Sequence, residues 1–138
     1  MRQKEEAWNL NTAEAFNPSW INVLDESMME RFNKYLPRFM CVGRKLHPFI
    51  NERHNICCGI MSILCRDQKV EGKYFSQQLV QKEYSELGKM VSLMLRMCRP
   101  TFGSGKSVVL DSGFYVAKGI TEIKSKGVYA EALIKKRH

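Results

Sequence analysis

Two short apolar runs, each ending in an aspartate, constrain the fold more than any other feature of the sequence. The first is residues 20–25, which end in Asp25, and the second is residues 107–111, which end in Asp111. Short runs of apolar and β-branched residues predict buried strands. Because the two runs end in the same way, we expect both carboxylates to lie at one edge of a common sheet.

Paired acids at strand ends are what a site for a hard divalent cation requires. Mg²⁺ prefers oxygen ligands and keeps several waters, and two such ions can steady the attacking and leaving oxygens of a phosphoryl transfer. Asp25 and Asp111 are therefore candidate metal ligands and candidate catalytic residues. The alternative is structural: each aspartate caps its strand or the helix that follows.

Length and composition favour a soluble globular domain. The chain has 138 residues, of which 44% are hydrophobic and 26% are charged, a balance that excludes a disordered chain. No apolar run is long enough to span a membrane, and no apolar signal core follows the charged N-terminus. We therefore expect a protein retained inside the cell, without a membrane partner.

The charge is strongly and unevenly basic. The net charge is +8, although the first thirty residues are net acidic, so the basic excess follows the first aspartate. A basic field favours a polyanionic partner such as nucleic acid. The alternative is a solvated basic surface with no partner.

Two basic segments are the candidate DNA-binding residues. Residues 37–53 combine cations with aromatic side chains, a pattern that suits a phosphate backbone, and the chain ends in a second cluster. The candidates are Arg38, Arg44, Lys45, Arg53, Lys135, Lys136 and Arg137. In the alternative, residues 37–53 are a connection whose aromatic side chains pack under the sheet.

The five cysteines predict reduced thiols rather than a metal site or disulfides. His54, Cys57 and Cys65 form a partial zinc set, but a fourth ligand is missing. We therefore expect no zinc.

The hydrophobic pattern predicts alternating strands and helices. Residues 28–36 are expected to be a helical turn or irregular, residues 37–53 a loop, and Gly59 a bulge. Ser85 and Gly127 are the expected N-cap and C′ residues of two helices. Strands are expected at residues 20–25, 54–61, 63–71, 107–111 and 128–134, and helices at 4–16, 85–98 and 114–126.

This order predicts a mixed α/β fold, in which a meander is followed by a β-α-β-α-β run. A right-handed crossover then places the first and fourth strands side by side, which brings Asp25 and Asp111 to neighbouring strand ends. The Gly-Lys-Ser at residues 105–107 resembles a phosphate-binding loop, but it leads into a strand and not a helix. We interpret it as a glycine-rich turn.

Three blocks in this order resemble the catalytic domain of piggyBac transposases and piggyBac transposable element-derived proteins. They are residues 24–28, 109–114 and 127–137, and residues 47–52 and 70–73 are similar to a subgroup of these proteins. The resemblance covers about residues 17–138, so residues 1–16 are expected to be an N-terminal helical appendage.

The resemblance implies a ribonuclease-H-like fold and cut-and-paste DNA transposition in the nucleus with Mg²⁺ or Mn²⁺. Asp25 and Asp111 match the first two of the family's three catalytic aspartates. The third lies on a later helix, so we expect a domain truncated after the fifth strand and inactive alone. Strand alternation directs Glu26 away from Asp25, and Glu131 lies in the last strand, so neither is expected to replace it.

Two other functions are compatible with this resemblance. One is a domesticated DNA-binding or interaction protein without catalysis. The other is an active nuclease that receives its third acid from a homodimer or from a related transposase chain.

Overall fold

A computed structural model describes the chain over five ranges of residues. These are residues 2–30, 40–41, 43, 49–69 and 83–134. Residues 31–39 and the C-terminal basic residues lie outside them. Within the described ranges, no helix is both long and apolar enough to cross a membrane.

Within the described ranges, six strands form a single mixed sheet. They are β1 (Ile21–Glu30), β2 (Met40–Cys41), β3 (Phe49–Cys58), β4 (Leu64–Lys69), β5 (Ser107–Leu110) and β6 (Tyr129–Ala132). The strand order is β2-β3-β1-β5-β6, and β4 also pairs with β3. The mixed α/β architecture predicted from the sequence is thereby confirmed.

β1 is the strand on which the sheet is centred. It runs antiparallel to β3 and parallel to β5, and β5 in turn runs parallel to β6. The predicted adjacency of the first and fourth strands is confirmed by the β1–β5 pair. A parallel pair requires a crossover connection, and here it contains a helix.

Three helices accompany the sheet: α1 (Arg2–Ala15), α2 (Lys89–Cys98) and α3 (Ala117–Ser125). Short 3₁₀ turns lie at Ser85–Leu87, Arg99–Thr101 and Ser112–Phe114. Leu, Met and Val recur at helical spacing in α2 and bury one wide face of it. This face meets α3 and the sheet, so α2 is the main covering layer of the core.

The core lies between one face of the sheet and these helices. Alternate residues of each strand point to it, because side chains in a strand alternate between its two faces. Its fully buried members include Leu24, Val108 and Leu110 from the strands, and Met94, Phe114 and Ile123 from the helical layer. Burial of apolar area at about 25 cal/mol per Å² is the main stabilising term.

α1 contacts the edge of the sheet through one asparagine. The Asn9 side-chain amide donates to the Asp67 carbonyl at 2.9 Å, and the Asp67 backbone N–H donates to Asn9 Oδ1 at 2.9 Å. The two bonds pair the backbone N–H and the backbone carbonyl of Asp67 on β4. The division into a helical appendage at residues 1–16 and a domain at 17–138 stays a prediction.

The predicted extents of two strands were wrong. β1 continues to Glu30, where irregular structure was expected from residue 28, and β3 begins at Phe49 inside the predicted loop at 37–53. Nine consecutive residues of β1 pair with β3. The cause is tertiary, because polar residues of low strand propensity become strand by pairing with each other.

Two of the three helices, α2 and α3, start later than predicted. Ser85 begins a 3₁₀ turn instead of capping α2, and α2 starts only after Gly88, whose φ is 95°. α3 also follows a 3₁₀ turn, Ser112–Phe114, and starts at Ala117. Gly127 has a φ of 74° just after α3, which confirms it as the C′ residue.

The remaining local predictions have mixed outcomes. Gly59 lies in a turn after β3, and the irregularity in strand pairing falls between Ile56 and Cys57 instead. The Gly-Lys-Ser segment leads into β5, as expected for a glycine-rich turn. All five cysteines are free thiols, with Cys58 and Cys98 buried.

Candidate metal centre

The sheet brings Asp25 and Asp111 to adjacent strand positions. Leu24 and Leu110 are register partners of the parallel β1–β5 pair, and each aspartate comes directly after one of them. The Asp111 backbone N–H donates to the Leu24 carbonyl at 3.1 Å. The backbone ladder therefore holds Asp111 beside Asp25, at the point where the parallel pairing ends: Asp111 follows β5, whereas Asp25 lies within β1, which continues to Glu30 and corrects the prediction that the first strand ends at Asp25.

Both aspartates also accept hydrogen bonds from backbone N–H groups close to them in sequence. The Gly113 N–H donates to Asp111 Oδ2 at 3.2 Å, so Asp111 caps the 3₁₀ turn that follows β5. The Glu26 N–H donates to Asp25 Oδ1 at 2.7 Å. The capping role considered from the sequence is thus present at Asp111, while Asp25 lies within β1 and caps no turn.

Glu26, which the sequence analysis did not expect to replace the third aspartate, is an additional acid near Asp111. A Cβ added to Gly113 would lie 3.2 Å from Glu26 Oε1 and 3.7 Å from Asp111 Oδ2. The two carboxylates therefore flank the same glycine. Glu26 does leave the face of Asp25, as alternation predicts, but the turn after Leu110 brings Asp111 towards it.

Glu26, Glu52 and His54 form a compact cluster on the helical face of the sheet. Each offers a ligand atom, and these three atoms lie within 4.8 Å of one another. Glu26 is the cross-strand partner of His54, and Glu52 lies two residues from His54 on the same face of β3. His54 Nε2 lies 3.2 Å from Glu52 Oε1.

Burial and mutual repulsion shift the protonation equilibria of this cluster. Burial raises the pKa of Glu26 first, and the charges of Glu52, Asp111 and Asp25 raise it further, while His54 lowers it. Burial also raises the pKa of Glu52, against an opposing effect from Lys89. The cluster therefore concentrates negative charge where it is partly removed from water.

His54 is disfavoured as a cation despite its acidic neighbours. Burial lowers its pKa, Glu26 acts in the opposite direction, and Arg96 and Lys89 lower it further. Its ring contacts that of Phe114 edge to face, with centroids 5.4 Å apart. The ring contact fixes the imidazole, and burial favours its neutral form, which is the form that binds metals.

Two members of the partial zinc set, His54 and Cys57, lie on opposite faces of β3. His54 is paired with Glu26, whereas Cys57 is paired with Val23 on the opposite face. The pKa of Cys57 is raised by burial and then by Asp25, which places the thiol on the side of Asp25. In the described part of the chain, His54 joins two glutamates instead of Cys57 and Cys65.

Of the predicted DNA-binding residues, Arg53 is the one that the structure describes. Its Nε donates to Asp67 Oδ1 at 2.6 Å, in a partly buried ion pair on the sheet. The remaining six, Arg38, Arg44, Lys45, Lys135, Lys136 and Arg137, lie outside the described residues. Their contact with DNA stays a prediction.

The donor set at the strand ends fits a hard divalent ion. It consists of carboxylates, which Mg²⁺ and Mn²⁺ prefer. The pKa of Glu26 is raised partly by Asp111 and Asp25, so the acids repel each other where a cation would relieve the repulsion. Asp25 and Asp111 are the residues that would hold it.

Comparison with known proteins identifies the fold. A family model described as "Transposase IS4" matches residues 1–138. The chain is also similar to a piggyBac transposase solved by cryo-electron microscopy in a synaptic complex with hairpin DNA, with a TM-score of 0.70 and 13% identity. The match covers 96% of this chain and 27% of that one. No curated protein sequence matches significantly.

These matches agree with the strand order and with the parallel β1–β5 pair. The fold is ribonuclease-H-like, as the resemblance predicted. The chain spans 27% of the length of the transposase chain that it matches. Because the family model covers every residue from 1 to 138, the chain belongs to the IS4/piggyBac-type family of transposases.

Proposed function

We propose that this domain is a transposase-derived core related to cut-and-paste DNA transposition by metal-dependent phosphoryl transfer in the nucleus. One observation carries the proposal: Asp25 and Asp111 come directly after Leu24 and Leu110, the last register pair between the parallel strands β1 and β5. The family membership supports the same chemistry, and the net charge of +8 supports a DNA partner.

Asp25 and Asp111 would hold Mg²⁺ or Mn²⁺, which, when bound, supplies charge neutralisation for attack on a phosphate of DNA. The contribution of the chain is positional. The ladder bond from the Asp111 N–H to Leu24 sets the spacing of the strands, and the Gly113 N–H orients the Asp111 carboxylate. Preorganised placement of this kind avoids reorganisation during the reaction.

We also propose that the domain is inactive in strand cleavage by itself. In the described residues, the further acid beside Asp111 is Glu26, which lies on the helical face rather than on the face of Asp25. Ions held by carboxylates on opposite faces of the sheet would be poorly placed for the reaction. A misplacement of about 1 Å can cost on the order of 100-fold in rate.

A plasmid-nicking assay with Mg²⁺ or Mn²⁺ tests this proposal. We expect the wild-type chain to cleave no faster than Asp25→Asn and Asp111→Asn. Glu131→Gln is the matched control, because Glu131 is an exposed acid on β6. Cleavage that both aspartate variants abolish and the control retains would contradict inactivity and establish the chain as a nuclease.

Isothermal titration with Mn²⁺ tests the metal ligands independently of activity. We expect Asp25→Asn and Asp111→Asn each to weaken Mn²⁺ binding at least about tenfold, with Glu131→Gln unchanged. Unaltered binding in both aspartate variants would remove the metal-site proposal.

The basic charge favours a second candidate, a domesticated DNA-binding protein without catalysis. Fluorescence anisotropy with duplex DNA over a salt series tests it, since the slope of log affinity against log salt reports the number of phosphates neutralised. Reversal of Arg44 and Lys45 to Glu should weaken binding and lower the slope. Lys118→Glu and Lys124→Glu, on exposed positions of α3, are the charge-matched control. Binding lost equally in both would indicate charge alone.

A further inference from the structure

The cluster of Glu26, Glu52 and His54 differs in chemistry and position from the pair of aspartates. It contains an imidazole, and it lies on the face of β1 and β3 that is covered by the helices. Asp25 points to the other face, with Cys57 and Asn55. The adjacency of Asp25 and Asp111 does not itself require a histidine here.

We propose that Glu26, Glu52 and His54 form a site for a divalent first-row transition metal, for which Zn²⁺ is the probe. One imidazole with two carboxylates is a ligand set that suits Zn²⁺ better than Mg²⁺, because Mg²⁺ prefers oxygen ligands alone. A water or a further group would complete a four-coordinate site.

The geometry is close to what such an ion needs. Ligands about 2.1 Å from a tetrahedral Zn²⁺ lie about 3.4 Å from one another. The three candidate atoms already lie within 4.8 Å, so small rotations of the two flexible glutamates are sufficient. The Phe114 ring against His54 keeps the imidazole in place while the glutamates adjust.

The hydrogen bonding of His54 is a second, independent observation. Its Nε2 lies against Glu52, but its buried Nδ1 has no hydrogen-bond partner among the described residues. The side chain is only 12% exposed, and that of Glu52 is 19% exposed. Buried polar atoms are normally paired, so Nδ1 is a ring nitrogen that is open to a bound group.

A competition titration against a chromophoric chelator tests the proposal on the whole chain. We expect one tightly bound Zn²⁺ per chain that a large excess of Mg²⁺ does not displace. Glu52→Gln and His54→Gln should each weaken Zn²⁺ binding at least about tenfold. Glu131→Gln is the control and should change it less than about twofold.

Two further variants distinguish this site from others on the chain. Asp25→Asn should leave Zn²⁺ affinity within about twofold, since it removes the site of the proposed transposase function and not this one. Cys57→Ser should do the same, because its thiol lies on the opposite face. Loss of Zn²⁺ in either variant, or absence of stoichiometric Zn²⁺ in the wild type, would overturn the proposal.

Co²⁺ provides a readout that does not depend on affinity. Visible absorption of the bound Co²⁺ should appear with the wild type and be lost with Glu52→Gln, which keeps the shape of the side chain and an oxygen acceptor for His54. Thermal melts in a chelator check that each variant folds. If His54→Gln fails to fold, Glu52→Gln decides, and a spectrum unchanged in that variant would exclude Glu52 as a ligand.

Discussion

Asn22 is a polar side chain in the middle of the core. It is fully buried on β1, and neither its oxygen nor its nitrogen has a hydrogen-bond partner within the described residues. An unpaired buried amide costs about 1–3 kcal/mol. We therefore expect Asn22→Val to raise the free energy of unfolding by about 1–2 kcal/mol, as measured by urea denaturation.

Asn55 is the matched control for this substitution. Its amide, oriented to suit its neighbours, donates to Asp67 Oδ1 at 2.9 Å and accepts from Ser27 Oγ. Asn55→Val should therefore destabilise the domain by about 1–3 kcal/mol. If both variants changed stability in the same direction, hydrogen bonding would not be the deciding term.

Glu52 makes stability depend on pH. Its pKa is raised above the usual 4.5, so the folded state holds the proton more tightly than the unfolded state does. Its contribution is fully present below pH 4.5 and is lost as the pH rises through the folded pKa. A glutamine at position 52 does not titrate, so Glu52→Gln avoids this loss of stability. The free energy of unfolding of the variant, relative to that of the wild type, should therefore increase between pH 4 and pH 7.

Urea midpoints measured with a chelator at several pH values provide the test. Glu131→Gln should show a flat difference from the wild type, because its carboxyl is exposed on β6. His54 contributes in the opposite sense, since its lowered pKa weakens the fold as the pH falls below about 6.5. A flat difference for Glu52→Gln would contradict the assigned effect of burial.

At the scale of elements, α2 and α3 pack against each other with little free space at Gly119. A Cβ added to Gly119 would lie 2.6 Å from Sδ and 2.7 Å from Cε of Met94, which is fully buried. Overpacking costs about 1–3 kcal/mol, while Gly→Ala in a helix gains about 1. We expect Gly119→Ala to destabilise the domain by about 1 kcal/mol in urea denaturation.

The double variant with Met94→Ala identifies the cause. Removing the methionine side chain makes room for the added methyl group, so the double variant should lose at least about 1 kcal/mol less than the sum of the singles. Lys124→Ala, on the exposed side of α3, controls for helix propensity. Additive losses would show that the two residues do not compete for space.

α1 depends on the bonds between Asn9 and Asp67. Asn9→Ala leaves the Asp67 N–H and carbonyl without these bonds, which should cost about 1–3 kcal/mol. Hydrogen exchange should accelerate in α1 and at Asp67, while β1 and β5 stay protected. Asn11→Ala, an exposed position of the same helix, is the control. Equal exchange in both variants would show that α1 is held by other contacts.

Elements with a local signal could be predicted from the sequence, and elements defined by pairing could not. β5 and α2 have apolar patterns that determine their type without a partner. The second half of β1 and the start of β3 consist largely of polar residues, such as Glu26, Glu52 and Arg53, and form strands because each pairs with the other. Such pairing is non-local and leaves no periodic signal in either segment.

The same distinction applies to the whole molecule. The chain order and the crossover rule were sufficient to predict that Asp25 and Asp111 follow neighbouring strands. The cluster around His54 requires the register of an antiparallel pair, which spacing does not provide, because a shift of one residue turns every side chain to the other face. Glu52 was assigned to a loop, so its pairing with Met28 was not foreseen.

β6 forms an exposed edge of the described sheet. Tyr129 on this strand and Leu133 and Ile134 just after it are 62%, 63% and 69% exposed. An apolar edge strand favours association between sheets. We expect Ile134→Lys to reduce concentration-dependent light scattering, whereas Thr121→Lys, on an exposed position of α3, should not. Equal scattering would show that association uses another surface.

The parallel register of β1 and β5 has a consequence for how this domain tolerates genetic change. Substitutions within Ser107–Leu110 alter packing, but a codon gained or lost there shifts Asp111 along the ladder from Asp25 and reverses the side to which it points. Homologous chains should therefore vary in length within the connections on either side of β5, and keep a constant number of residues between Gly105 and Asp111.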